Sequence, residues 1–161
     1  MLGEIFDDIL GFSAAVGPMA PLAGLDLGTK TIGVAVTDVM QSVSTPLETI
    51  KRTKFTADAE TLLAICTARS IAGLVLGLPL NMDGTDGPRV QSTRAFARNL
   101  SRLTPLPIAF WDERLSTVAA ERALLEADTS RKRRGEVIDH VAAGFILQGA
   151  LDRMRHIRQN T

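Results

Sequence analysis

The sequence predicts a mixed α/β fold: a five-stranded sheet of three antiparallel strands followed by parallel ones, with flanking helices. Two patterns carry this expectation. Three strand-like stretches separated by short turns occupy residues 22–50, and beyond residue 55 helical and strand periodicities alternate, which favours parallel strands joined by right-handed crossovers. A length of 161 residues with 45% hydrophobic side chains suits one compact soluble domain and leaves no room for two catalytic lobes.

Leu2, Ile5, Phe6, Ile9 and Leu10 recur at helical spacing, which predicts a short amphipathic helix ended by GFSAAVGPMAP. Residues 1–20 therefore read as an N-terminal extension appended to a domain at 21–155, with 156–161 as a tail. The apolar run 22–27 and the stretch 32–37 flank Gly28-Thr29-Lys30, the pattern of a hairpin with a tight turn. A third strand is expected at 45–50, where Pro46 suits a strand start or a sheet edge. Residues 56–69 space Ala59, Leu62, Leu63 and Cys66 as a helix, with Thr56 available as its N-cap. The glycine-containing apolar run 71–78 reads as a strand buried on both faces, followed by a loop at 79–87. Helices are expected at 88–102, 116–127 and 136–154, with a strand at 107–111.

Several function classes drop out early. No apolar run approaches the ~20 residues needed to cross a bilayer, so no membrane partner is expected. The opening MLGEIFDD carries Glu4, Asp7 and Asp8 where a secretory signal carries positive charge, and the lone Cys66 has no internal disulfide partner; a reducing cytoplasm is the expected location. Cys66, on a core helix, reads as packing rather than as a nucleophile. One Cys with the scattered His140 and His156 offers no zinc spacing, and no G-x-x-x-x-G-K-[ST] loop is present. Net charge is zero, but residues 1–86 hold 5 basic and 10 acidic side chains while residues 87–161 hold 13 and 8. The second half is thus the one able to face phosphate.

Three acids draw attention. Asp26 ends a strand just before the Gly28 turn, near the middle of the sheet, where it serves equally well as a turn cap. Glu113, with Asp112, follows the strand ending Phe110-Trp111, at a carboxyl end where open α/β sheets bind ligands; solvated loop charges are the plain alternative. Asp139 shares a helical face with Ala142, Ala143, Ile146 and Ala150. A carboxylate on so apolar a stripe needs an ion pair, Arg114 among the candidates, or a cation. Three converging carboxylates suit Mg²⁺ or Mn²⁺, and two such ions about 4 Å apart activate water and stabilise the leaving 3′ oxygen of a phosphodiester. Arg94, Arg98 and Arg102 form a positive stripe on a helix without Asp or Glu. Arg131, Lys132, Arg133 and Arg134 make a second cluster, read as a basic loop before the helix of Asp139. Both are candidate contacts to a nucleic-acid backbone, together with Lys30 and Arg114.

GLDLGTKTIGVAVTD, GLVLGLPLNMDGT, WDERLST and IDHVAAGFILQGALD, in that order, resemble the YqgF/RuvX family of pre-16S rRNA nucleases across residues 22–153. The resemblance implies an RNase H-like fold related to the RuvC-type Holliday junction resolvases. It implies catalytic, metal-holding roles for Asp26, Glu113 and Asp139, and action in the cytoplasm on the 5′ end of 16S ribosomal RNA. Branched DNA is the alternative substrate, and monomer and homodimer both remain open. The acidic N-terminal extension departs from the family's usual start. Two rivals of other classes stand beside this reading. An ATP-binding protein of the actin and sugar-kinase group also places a D-x-G-T turn on its first hairpin, with Lys30 then meeting phosphate, but such proteins close two lobes on the nucleotide. A catalytically silent RNA-binding module is the other.

Overall fold

The computed structural model describes residues 3–81, 83–115 and 131–160, with the backbone alone at 131–139. The chain runs β1 (Ile5–Phe6), α1 (Ile9–Val16), β2 (Ala23–Leu27), β3 (Thr31–Thr37), β4 (Ser44–Lys51), α2 (Phe55–Ala68) and β5 (Leu74–Leu78). It continues through α3 (Pro88–Ser101), β6 (Ile108–Asp112), a 3₁₀ turn (Glu113–Leu115) and α4 (Arg131–Gln159). The strands form one sheet in the order β1-β6-β5-β2-β3-β4. As expected, β2, β3 and β4 are antiparallel neighbours, and β5 and β6 add in parallel on the other side of β2. The backbone N–H of Gly28 donates to Thr31 O at 2.9 Å and closes the first hairpin.

Alternation along the strands sorts side chains onto two faces. Leu25, Leu27, Ile32, Val34, Leu74, Leu76, Ile108 and Phe110 join Leu62, Cys66, Val90, Phe96 and Leu100 of α2 and α3 in one core. Ala35, Val75, Ala109 and Trp111 join Ile9 and Phe12 of α1 and Ala142, Ala143, Ile146, Leu147 and Ala150 of α4 in the other. Burial pushes the Cys66 thiol up to about 11, which leaves it a packing residue.

The sheet has six strands rather than five, and the additional strand comes from the segment expected as an appendage. Ile5 and Phe6 pair in parallel with Ile108 and Ala109, covering what would otherwise be the open edge of β6. The helix is displaced from residues 2–10 to Ile9–Val16: Asp8 caps it, accepting from Gly11 N at 3.1 Å, and Gly17 at φ +76° closes it. Gly11 does not end the helix because its role is steric. A Cβ there would lie 2.8 Å from the Phe6 ring. Helix α2 begins at Phe55 with Lys54 at the cap position and no side-chain cap, so Thr56 is inside it. Asp58 in its first turn accepts instead from Thr53 N at 3.0 Å and Thr53 Oγ1 at 3.2 Å.

Helix α4 outruns the expected 136–154 at both ends. Most of the expected tail is helical, because Arg158 donates to Gly17 O at 2.8 Å, Ser13 O at 3.3 Å and Gln41 Oε1 at 2.7 Å and ties the last turn to the N-terminal segment. Residues 131–134 lie in the first turn of α4 rather than in a loop. The helix expected at 116–127 falls outside the described residues. Among the described residues, no helix is long and apolar enough to cross a membrane.

Phe12 is fully buried and packs edge-on to Phe6, with ring centroids 6.4 Å apart. Phe12→Ala is expected to cost about 3–5 kcal/mol in urea unfolding, the loss of a core aromatic. A change under about 0.5 kcal/mol would return residues 1–20 to the status of an appendage.

Candidate active site

Two glycines shape the region around Asp26. On β2, a Cβ at Gly24 would sit 2.7 Å from Leu147 Cβ and 3.2 Å from Ala143 O, so α4 lies almost on the backbone there. Two residues further along the same face comes Asp26, 3% exposed, and it pairs with Gly33 on β3. One step beyond the last paired residues of β2 and β5, Leu25 and Leu76, stand Asp26 and Gly77. A Cβ on Gly77 would collide with the end of the Ile146 side chain and would lie 3.4 Å from the carboxyl carbon of Glu113. The Glu113 carboxyl thus occupies space above Gly77, on the strand next to Asp26. Gly33 on β3 and Gly77 on β5 stand beside Asp26 in the sheet, and neither contributes a Cβ there.

Helix α4 crosses this end of the sheet. Its Ala142, Ala143, Ile146 and Ala150 are at most 2% exposed, as their small apolar stripe predicts. Asp139 lies one helical turn before Ala143, toward the Asp26 end of β2; only its backbone is described. The adjoining His140 is anchored to the sheet, with Nδ1 2.9 Å from Thr49 Oγ1, and Thr49 pairs with Gly33. Among the described residues, no three His, Cys, Asp or Glu side chains gather as a metal site, and Asp26 and Glu113 are the two expected acids whose side chains are described. Both are carboxylates, hard oxygen donors whose chemistry suits Mg²⁺ or Mn²⁺ rather than a softer ion.

Asp112, next to Glu113, has a different task. Its carboxylate accepts from Arg114 N at 2.9 Å, from Arg114 Nε at 3.1 Å and from Arg114 Nη2 at 2.7 Å. These bonds wind the 3₁₀ turn that presents Glu113, and the Arg114 guanidinium holds the Asp112 carboxyl below its ordinary value. The loop after β5 meets the same arginine. Gly84 has φ +87°, and a Cβ on it would lie 3.2 Å from Arg114 Nη1. Asp83 accepts from Thr85 Oγ1 at 2.6 Å and from Thr85 N at 3.0 Å, and these bonds, with Arg114 nearby, lower its pKa.

The expected phosphate contacts divide. Lys30 is exposed on the first hairpin turn, and Arg98 is exposed on α3. Arg94 does not belong to an uncompensated stripe: it pairs with Asp7 at 3.2 Å and Asp86 at 3.8 Å and covers the Phe110 ring at 5.1 Å. Both acids come from other elements, which is why the helix's own sequence concealed them. Arg114 is paired with Asp112. The side chains of Arg131, Lys132, Arg133 and Arg134 lie outside the described set. Sequence reasoning overlooked the Gly77 cradle and the His140–Thr49 bond; only the glycine inside an apolar strand was a local signal of close approach.

The family model described as "RuvX: Holliday junction resolvase" matches residues 20–153. The chain belongs to the RuvX family. Its RuvX relatives include a protein of Ruegeria sp. (strain TM1040), 69% identical over 160 residues, with 99% of this chain and 100% of the relative covered. Another, from Paracoccus denitrificans (strain Pd 1222), is 69% identical over 153 residues, covering 95% and 97%. Both carry the name "Putative pre-16S rRNA nuclease". The Ruegeria alignment takes in the N-terminal segment that precedes the RuvX match. Among solved structures, Thermus thermophilus RuvC aligns with a TM-score of 0.50 at 14% identity, over 88% of this chain and 97% of that one. RuvC of the same organism in complex with a Holliday junction substrate gives 0.50 at 12%, over 84% and 96%. At such identities the likeness is one of fold, and that fold is RNase H-like.

The depressed Asp112 carboxyl carries a sign. A carboxylate whose folded pKa lies below its unfolded value near 3.8 stabilises the fold above that value and loses the contribution as pH falls through the folded pKa. The melting-temperature gap between wild type and Asp112→Asn should therefore hold from neutral pH to about 5 and close below about 4. A gap independent of pH would detach it from the charged pair.

Proposed function

We propose that this chain is a metal-dependent endonuclease that matures the 5′ end of pre-16S rRNA in the cytoplasm, with Asp26, Glu113 and Asp139 as its catalytic carboxylates. The hydrolase class follows from RuvX membership and the naming of its relatives. The observation that carries the residue assignment is the Glu113 carboxyl above Gly77, beside the buried Asp26, at the carboxyl edge of the sheet. In support of the third acid, the helix of Asp139 packs onto β2 and β5 through Gly24 and Gly77.

On this reading the three carboxylates hold Mg²⁺ or Mn²⁺. When bound, such an ion supplies Lewis-acid stabilisation of charge on the phosphate and a means of generating hydroxide at neutral pH. Hydrolysis forms a bond from a water oxygen to phosphorus as the bond to the 3′ oxygen breaks; the water loses a proton and the leaving 3′ oxygen takes one up to give a 3′ hydroxyl and a 5′ phosphate, with no covalent intermediate on the protein. The buried Asp26 and the positioned Glu113 are ready-made for this, since their orientation is settled before substrate arrives. Residues 131–134 support an anionic partner: four consecutive cations open the described part of the helix that carries Asp139, and such a run favours a phosphate backbone. Branched DNA is the second reading, favoured by the description of the matching family model.

Cleavage of precursor 16S rRNA and of a four-way DNA junction, measured side by side with Mg²⁺ or Mn²⁺, tests both. Wild type should cut the rRNA precursor, lose cleavage in EDTA and regain it with metal, and Asp26→Asn should reduce the rate by roughly 10³-fold or more. No cleavage of either substrate with either metal would sink the nuclease reading; cleavage of the junction alone would transfer it to DNA. Glu113→Gln, which keeps the side chain's size, is expected to keep the fold yet to slow cleavage roughly 10²-fold or more by removing one of the carboxylate charges. Full activity in a folded Glu113→Gln protein would remove Glu113 from the catalytic assignment.

A further inference from the structure

On the opposite side of the β2 end from α4 lies a cleft of about 490 Å³ bordered by Leu27 and Gly28, Thr29, Arg52, Arg89 and Ser92. Its two arginines are fixed on consecutive carbonyls of the turn that follows Asp26. Arg52 Nη1 donates to Gly28 O, with its guanidinium over the Phe96 ring at 5.7 Å, and Arg89 Nη2 donates to Leu27 O at 3.3 Å. Each guanidinium carries five N–H donors, so these bonds orient the group and leave most of its donors unspent. Among the described residues, neither arginine has a carboxylate within ion-pair distance, and no acid lines the cleft. Asp58, in the first turn of α2, is 3% exposed and turned to Thr53.

We infer that this cleft is a phosphate subsite for the nucleic-acid backbone, gripping the strand next to the point of cleavage through Arg52 and Arg89, with Thr29 and Ser92 as hydroxyl donors. The inference rests on the nuclease reading and extends it to how the substrate is held. Guanidinium forks suit phosphate oxygens. No aromatic ring lines the cleft, so it offers no stacking platform for a base and fits the sugar-phosphate chain rather than a free nucleotide. Because Leu27 and Gly28 directly follow Asp26, a strand cut at Asp26 reaches the cleft by crossing the end of β2. Contact there is independent of base sequence.

Binding separates this from catalysis. In an Asp26→Asn background, fluorescence anisotropy with structured RNA and with a DNA junction is measured against salt, for Arg52→Gln, Arg89→Gln and the double variant. Each single change should weaken binding roughly tenfold at low salt, and the double should flatten the slope of log K against log[salt] by about 0.7–0.9. Arg69→Gln, an exposed cation at the far end of α2, should change neither. Arg52→Lys, which keeps the charge, should recover part of the affinity, and thermal melting confirms that each variant is folded. Unchanged affinity and slope in the folded double variant would overturn the subsite and leave the nuclease reading standing. If the parent protein binds neither nucleic acid, both fall. ATP that displaces the RNA and itself depends on Arg52 and Arg89 would reassign the cleft to a nucleotide.

Discussion

Helix α4 can lie against the sheet only because β2 and β5 lack a Cβ where it crosses them. At Gly24 the Leu147 Cβ and the Ala143 carbonyl occupy the space of a side chain, and at Gly77 Ile146 does the same. A methyl group at either position would have to lift the helix or displace its neighbours. The consequence reaches the proposed catalytic acids directly. Asp26 is two residues along from Gly24, Glu113 stands over Gly77, and Asp139 is one turn along α4 from Ala143. One close approach therefore governs the relation between the two sheet-borne acids and the helix that carries the third.

The 3₁₀ turn after β6 shows how little covalent machinery is needed to aim a carboxylate. Asp112 spends its side chain on Arg114, from the backbone N–H to the guanidinium, and the turn so formed swings Glu113 toward Gly77. Adjacent acids thereby do different work. The Arg114 guanidinium is also the wall against which Gly84 packs, so the loop after β5 and the turn after β6 are set against one another at the same edge.

The opposing charges of the two halves of the chain are partly joined in space. Asp7 and Asp86, from the acidic half, neutralise Arg94 of the basic half. The cations lacking such partners among the described residues include Arg52 and Arg89, at the carboxyl end of the central strand. Net charge near zero is thus compatible with a locally basic surface beside a buried acid.

Strands β2 to β6 and helices α2 and α3 were legible in the sequence because period and turn chemistry are local properties, readable within a dozen residues. The four family motifs added the RNase H-like fold. Strand β1 was not legible: Ile5 and Phe6 fit a helical spacing with their neighbours, and two residues carry no strand alternation; they become a strand only because β6 offers an unpaired edge. Gly11 looked like a helix breaker, and only its contact with the Phe6 ring reveals why it is glycine. The positions of Asp26 and Glu113 at strand ends, and of Asp139 on a small apolar stripe, were determined by sequence alone. Tertiary structure decided that Glu113 stands over Gly77 on the strand beside Asp26, that Arg94 is already paired, and that Arg52 and Arg89 share a cleft. Each of these joins residues distant in the chain, and no local pattern records what packs against it.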